Sequence, residues 1–179
     1  ELEFAEKLKD SLSIAISYSN LAHIQYELNN LEKAYKYLNN SLEICKKKND
    51  YFGIGLNYNN LAEMEYHQKN LKKSEEYILN TIKNQEKAGN KFGMSCAYRF
   101  LSKILLEKKD YKGAKFNLEK ALSILETTGN KFEIARTLAS LGEYYSEIKD
   151  YKTSIEYLKK AIKISEDDNF ILSQVDYYQ

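Results

Sequence analysis

The sequence predicts an all-α chain of antiparallel helix pairs, and three observations carry the prediction. Leucine recurs at Leu21, Leu61, Leu101 and Leu141, a period of 40 residues without slippage. Within each period apolar residues return at three- and four-residue steps, as one stripe of an amphipathic helix requires. Midway through each period stands Asn30, Asn70, Asp110 or Asp150, residue types that accept hydrogen bonds from the free amides of a helix start.

The unit is clearest from Ala135 to Glu166. Leu138, Leu141, Tyr145 and Ile148 form the stripe of a first helix, Asp150 interrupts it, and a second helix starts at Tyr151. In that second helix Ser154, Ile155, Leu158, Ala161 and Ile162 share a face. A link this short makes the two helices antiparallel. Small residues recur beside the leucine, at Ala22, Ala62, Ser102 and Gly142, and in the second helix, at Ala34, Ser74, Ala114 and Ser154. Their size predicts that the helices of a pair approach closely there.

Taken in order, residues 1–10 align at the same offset with Ser41–Asp50, so the chain opens on the end of a second helix whose own first helix is missing. Repeats then run over 11–50, 51–90, 91–130 and 131–169. Asn30, Asn70 and Asp110 cap the second helices of the first three. Lys46, Lys47 and Lys48 stand where cations favour a helix C-terminus. Gly89 and Gly129 suit the left-handed residue that ends a helix, and Asn90 and Asn130 can cap the helices that follow. Residues 170–179 restart a first-helix pattern and are expected to cap the stack. With no initiator methionine, the chain reads as a single solenoid domain excised from a larger protein.

The order large apolar, Leu-small, Tyr in the first helix, then small, large apolar, small in the second resembles the tetratricopeptide repeat. In the last unit these are Leu138, Leu141-Gly142, Tyr145, Ser154, Leu158 and Ala161. The resemblance spans essentially the whole chain and implies a right-handed superhelical solenoid, one elongated domain. Two departures stand out: the unit has 40 residues where the common repeat has about 34, and no proline follows the second helix. The longer unit is similar to the variant of kinesin light chains, Pins-type spindle adaptors, and bacterial sensor kinases and transcriptional regulators.

Charge is nearly balanced, 27 basic against 26 acidic residues, which gives no broad footprint for nucleic acid or an anionic membrane. No apolar run approaches the length of a membrane span. Cys45 and Cys96 occupy different repeat positions, so no disulfide is expected and a reducing, cytoplasmic setting fits. The two histidines, His23 and His67, stand on first helices of different repeats, with no nucleophile arrangement, phosphate loop or metal-ligand spacing near them. No catalytic residue, metal or cofactor is expected, and the chain is read as non-enzymatic.

The resemblance implies a concave groove lined mainly by first-helix residues. Its positions fall on Ser19, Asn20, His23 and Tyr26 in repeat one, and on Asn59, Asn60, Glu63, Tyr66 and His67 in repeat two. Repeat three supplies Arg99, Phe100, Lys103 and Glu107, and repeat four Arg136, Ser140, Glu143 and Glu147. Asn20 and Asn60 share one position, where an amide can both donate to and accept from a peptide backbone. Arg99, Lys103 and Arg136 could receive a carboxylate; the alternative is that they pair with Glu107, Glu143 or Glu147. Tyr18, Tyr58 and Tyr98 are assigned to the core. The carboxylate clamp of chaperone adaptors is matched only at Asn60.

The expected function is therefore binding of a protein or peptide segment in the groove, as the sensory or scaffolding part of an intracellular signalling or regulatory protein. The alternative is a structural self-assembly module whose exposed ends, at Leu2, Phe4 and Ile171, mediate association while the groove stays empty.

Overall fold

The computed structural model describes residues 11–167, and among them all regular structure is helical. The elements are α1 (Ser11–Glu27), α2 (Leu31–Lys47), α3 (Tyr51–His67), α4 (Leu71–Lys87), α5 (Lys91–Glu107), α6 (Tyr111–Glu126), α7 (Lys131–Glu147) and α8 (Tyr151–Asp167). The chain divides into two compact units, Glu1–Asn90 and Lys91–Gln179. Each described unit consists of two helix hairpins. Every helix packs most extensively on its hairpin partner, and α2 also packs on α3, as α6 does on α7.

The turns follow the same metronome as the helices. Asn29, Asn49, Lys69, Gly89, Lys109, Gly129 and Lys149 all adopt positive φ, between 53° and 67°. At six of these turns the next amide bonds back to a carbonyl five residues earlier, as in Asn30 to Gln25 at 2.8 Å and Asp150 to Tyr145 at 2.8 Å. That is the Schellman closure. The turn after α6 closes instead with Gly129 N–H on the Leu125 carbonyl at 3.1 Å.

Capping divides by residue type. Asp50, Asp110, Asn130 and Asp150 each accept an amide of the following helix, from Gly53, Gly113, Glu133 and Thr153 respectively. Asn30 and Asn70, expected to do the same, make no side-chain cap bond. Their amides donate to Gln25 Oε1 at 3.1 Å and to Glu65 Oε2 at 2.9 Å. An asparagine beside an acceptor on the preceding helix uses its NH2 there, a choice that aspartate lacks. Asn90 likewise donates to Gln85 Oε1 at 2.8 Å.

The small-residue positions are the hairpin contacts. Ala22, Ala62, Ser102 and Gly142, and Ala34, Ser74, Ala114 and Ser154, are all buried. Ser74 and Ser154 donate across the hairpin to the carbonyls of Ala62 and Gly142, at 2.7 and 2.8 Å. A Cβ on Gly142 would lie 2.7 Å from Leu158 Cγ, so only glycine admits this leucine. In the first unit Ala22, Ala34, Leu38, Leu61 and Met64 form one apolar cluster, and Ala15, Leu42, Cys45 and Ile54 form a second. Tyr98 is buried as expected, while Tyr18 and Tyr58 are half-buried and stack on Tyr37 and Tyr77 at 5.8 and 6.0 Å between ring centres.

Three assignments to the apolar stripe are corrected. Ile148 caps α7 and is exposed, and Ile155 and Ile162 are each 52% exposed. Ile162 holds the position at which Leu42 is covered by Ile54 from the next hairpin, and among the described residues no helix follows α8. The expectations for residues 1–10 and 170–179, and for Leu2, Phe4 and Ile171, lie outside the described residues.

Candidate functional site

In the first unit, α1 and α3 present His23, Tyr26 and Glu27, and Asn60, Glu63, Met64 and His67. These spacings of three, four and seven residues keep each set on one helix face. The two faces border a cavity of about 150 Å³, lined also by Ala22 and Leu38. Ala22, Leu38 and Met64 are buried and form its floor. His23, Glu27, Glu63 and His67 are exposed around it, and Tyr26 and Asn60 are half-buried between floor and rim.

The Tyr26 and His67 rings lie 6.3 Å apart, and His67 meets Tyr66 edge-on at 5.7 Å. Asn59 donates to Glu63 Oε1 at 2.9 Å, fixing that carboxylate along α3. Burial raises the Tyr26 phenol above its usual value of 10.0, and the Glu27 and Glu63 carboxylates push the same way. Of the expected groove residues, His23, Tyr26, Asn60, Glu63 and His67 are thus brought together. Asn20 is exposed on α1 and does not line the cavity.

Two further residues expected in the groove are packed elsewhere. Tyr66 is 7% exposed and belongs to the core. Ser19 sits in a polar contact among α1, α2 and α3: its hydroxyl lies 3.0 Å from Ser41 Oγ and 3.0 Å from Asn57 Oδ1. Asn57 is buried and donates to Ser41 Oγ and to the Gly53 carbonyl, at 3.0 and 2.9 Å. Buried amides need such partners, and these come from three helices.

In the second unit Arg99 and Arg136 converge on Glu133, a residue of the first turn of α7 that sequence reasoning passed over. Arg99 Nη1 is 2.8 Å from Glu133 Oε2, in ion-pair range without hydrogen-bond alignment, and Arg136 Nη1 is 3.3 Å from Oε1. Both arginines thus pair with a carboxylate, Glu133, that lies outside the expected set of Glu107, Glu143 and Glu147. Glu133 is buried. The signal in the sequence is an outlier: Ser13, Gly53 and Gly93 occupy its position in the other repeats. Lys103 and Glu143 are exposed on α5 and α7.

A second buried carboxylate was also missed. Glu65 accepts from Tyr35 Oη at 2.9 Å and Asn70 Nδ2 at 2.9 Å, and pairs with Lys73 Nζ at 2.7 Å. It ties α2, α3 and α4 together and is structural. Both thiols are free. Burial raises Cys45 and Cys96 above the ordinary thiol value, which keeps them protonated and poorly nucleophilic. Among the described residues no group of three or more His, Cys, Asp or Glu could hold a metal ion, and no helix is long and apolar enough to cross a membrane.

Tetratricopeptide repeat family profiles match residues 15–48, 54–127 and 135–168, the middle stretch spanning two repeats and the outer ones a repeat each. The chain is a tetratricopeptide repeat protein. No curated protein sequence matches it. Among solved structures, this tetratricopeptide repeat chain is similar to a signal transduction ATPase with numerous domains and a tetratricopeptide repeat sensor, from Pyrococcus horikoshii. The identity is 27% and the TM-score 0.81, over 92% of this chain and 26% of that one. It is also similar to a putative kinesin light chain with nearly identical repeats from Podospora anserina, at 15% identity and TM-score 0.72, over 94% and 83%. A third is a Rap protein complexed with competence and sporulation factor, at 20% identity and TM-score 0.70, over 86% and 43%. The chain therefore spans less than half the length of two of these structures. The last two likenesses concern the fold alone, and the kinesin light chain shares it as the long repeat unit implied.

Proposed function

We propose that this repeat protein binds a peptide or protein segment along the first-helix surface of its hairpins, as the sensing or scaffolding part of a signalling protein in the cytoplasm. The observation that carries the reading is the cavity between α1 and α3, where two successive first helices place an amide, two carboxylates, two imidazoles and a phenol over an apolar floor. Such a mixture of convergent polar groups and apolar wall suits recognition of a ligand. Similarity to a repeat sensor and to a Rap protein solved with a bound factor supports the same reading. The chain has no catalytic role in this reading, since its thiols are held protonated and its buried carboxylates are tied into structural contacts.

A peptide-array screen with the 179-residue chain, followed by titration of the captured sequences, tests the proposal. Asn20→Ala with Asn60→Ala is expected to weaken binding by about 0.5–1.5 kcal/mol for each backbone hydrogen bond removed, with the melting temperature nearly unchanged. Unchanged affinity in this double variant would move the reading to a self-assembly module with an empty groove.

A further inference from the structure

The cavity between α1 and α3 has a charge character that backbone recognition leaves unused. Glu27 and Glu63 stand exposed at its edge, and none of its nine lining residues is a lysine or arginine. Both carboxylates act on the Tyr26 phenol, so their fields overlap at the cavity. The contact from Asn59 orients Glu63 without cancelling its charge, because an amide is neutral. Beneath them Ala22, Leu38 and Met64 offer only apolar surface. The space is about 150 Å³, a volume known to admit a benzene-sized guest and comparable to the butylammonium end of a lysine.

We infer that this cavity receives a lysine side chain of the bound segment, its methylene stem on Ala22, Leu38 and Met64 and its ammonium between Glu27 and Glu63. Lysine is suited to such a split environment, since it buries its stem along apolar surface while its head stays polar. The Tyr26 ring adds a negative face for the cation, and the Asn60 carbonyl oxygen can accept one ammonium proton. A glutamate side chain would be repelled by the same two carboxylates. A leucine would fill the floor and leave the rim unanswered. The inference rests on the groove reading for the source of the lysine, but the preference of the cavity can be measured without any peptide.

The full chain labelled with 13C at its methionine methyl groups supplies the reporter. Met64 lies in the cavity floor, and Met94, on α5, is the internal control. Titration with n-butylammonium is expected to move the Met64 methyl signal saturably, with Kd in the millimolar range expected of so small a ligand, and to leave Met94 in place. n-Butanol, of the same shape and uncharged, should bind on the order of fivefold more weakly, and butyrate should not bind. Added salt should reduce the difference between butylammonium and butanol, and Glu27→Gln with Glu63→Gln should abolish it. Equal binding of butanol and butylammonium, an unaltered preference in the double glutamine variant, or an immobile Met64 signal would each overturn the inference. Those failures would leave the groove reading standing on the asparagine variants, whereas failure of the asparagine variants alone would leave the cation preference intact.

Discussion

Glu65 illustrates how a carboxylate can be buried in a repeat protein and remain ionised. Burial works against its charge, but Lys73, Asn70 and Tyr35 together outweigh burial and hold it below the ordinary value of 4.5. A carboxyl depressed in the folded state contributes stability that is present above its unfolded value and lost as pH falls through the folded one. The acid limb of unfolding below about pH 4.5 is therefore expected to flatten in Glu65→Gln, as followed by circular dichroism at 222 nm across a pH series. An unchanged acid limb would mean that other carboxylates govern it. Glu133 raises the opposite issue, because two arginines depend on it. Arg99 has a side chain only 14% exposed, so Glu133→Ala leaves a half-sequestered guanidinium without its counter-charge. Urea unfolding should show a loss of about 3 kcal/mol; a loss within error of zero would show that solvent replaces the carboxylate.

At the scale of the element, the turns set the register. Each turn between successive described helices holds a left-handed residue, glycine at two such places, asparagine at two and lysine at three. A lysine there carries a steric penalty of about 1–2 kcal/mol from its Cβ, which the Schellman closure and the packed hairpin outweigh. Lys109→Gly is accordingly expected to raise stability by about 0.5–1 kcal/mol, part of the relief being offset by the greater freedom of glycine when unfolded. Gly129→Ala should lower it by about 1 kcal/mol. An added Cβ at Gly129 meets nothing within 4 Å, so any loss reflects backbone conformation alone. Thermal melts of both variants should shift in opposite directions, and shifts of the same sign would refute the assignment.

For the molecule as a whole, stability is expected to be spread over the hairpin contacts within each unit instead of one central core. Leu61 is 2% exposed and shares a cluster with Ala22, Ala34, Leu38 and Met64. Leu61→Ala should cost about 2–5 kcal/mol, and hydrogen exchange should accelerate most across α1–α4 and least in α8. Uniform acceleration throughout the chain would indicate a single cooperative unit. Balanced charge also bears on this scale: with a formal net charge of +1, recognition depends on local arrangements such as Glu27 with Glu63.

The period determined much on its own. Among the described residues eight helices start at intervals of twenty residues from Ser11 to Tyr151, and both the leucine register and the caps Asp110, Asn130 and Asp150 announce them. The small residues from Ala22 to Ser154 were legible as hairpin contacts, because contact between hairpin partners repeats with the sequence that makes it. Tertiary structure alone decided where polar side chains go. Ser19 turned to Asn57, Arg99 and Arg136 turned to Glu133, and Asn70 left its cap for Glu65. It also gathered His23, Asn60, Glu63 and His67 around one cavity while leaving Asn20 outside. The physical reason is reach: an apolar position needs only to lie on the right face of a helix, whereas a buried polar group needs a particular partner within about 3 Å. For Ser19 and Arg99 that partner belongs to another hairpin whose residues do not repeat, as Glu133 shows at a position otherwise held by Ser13, Gly53 and Gly93.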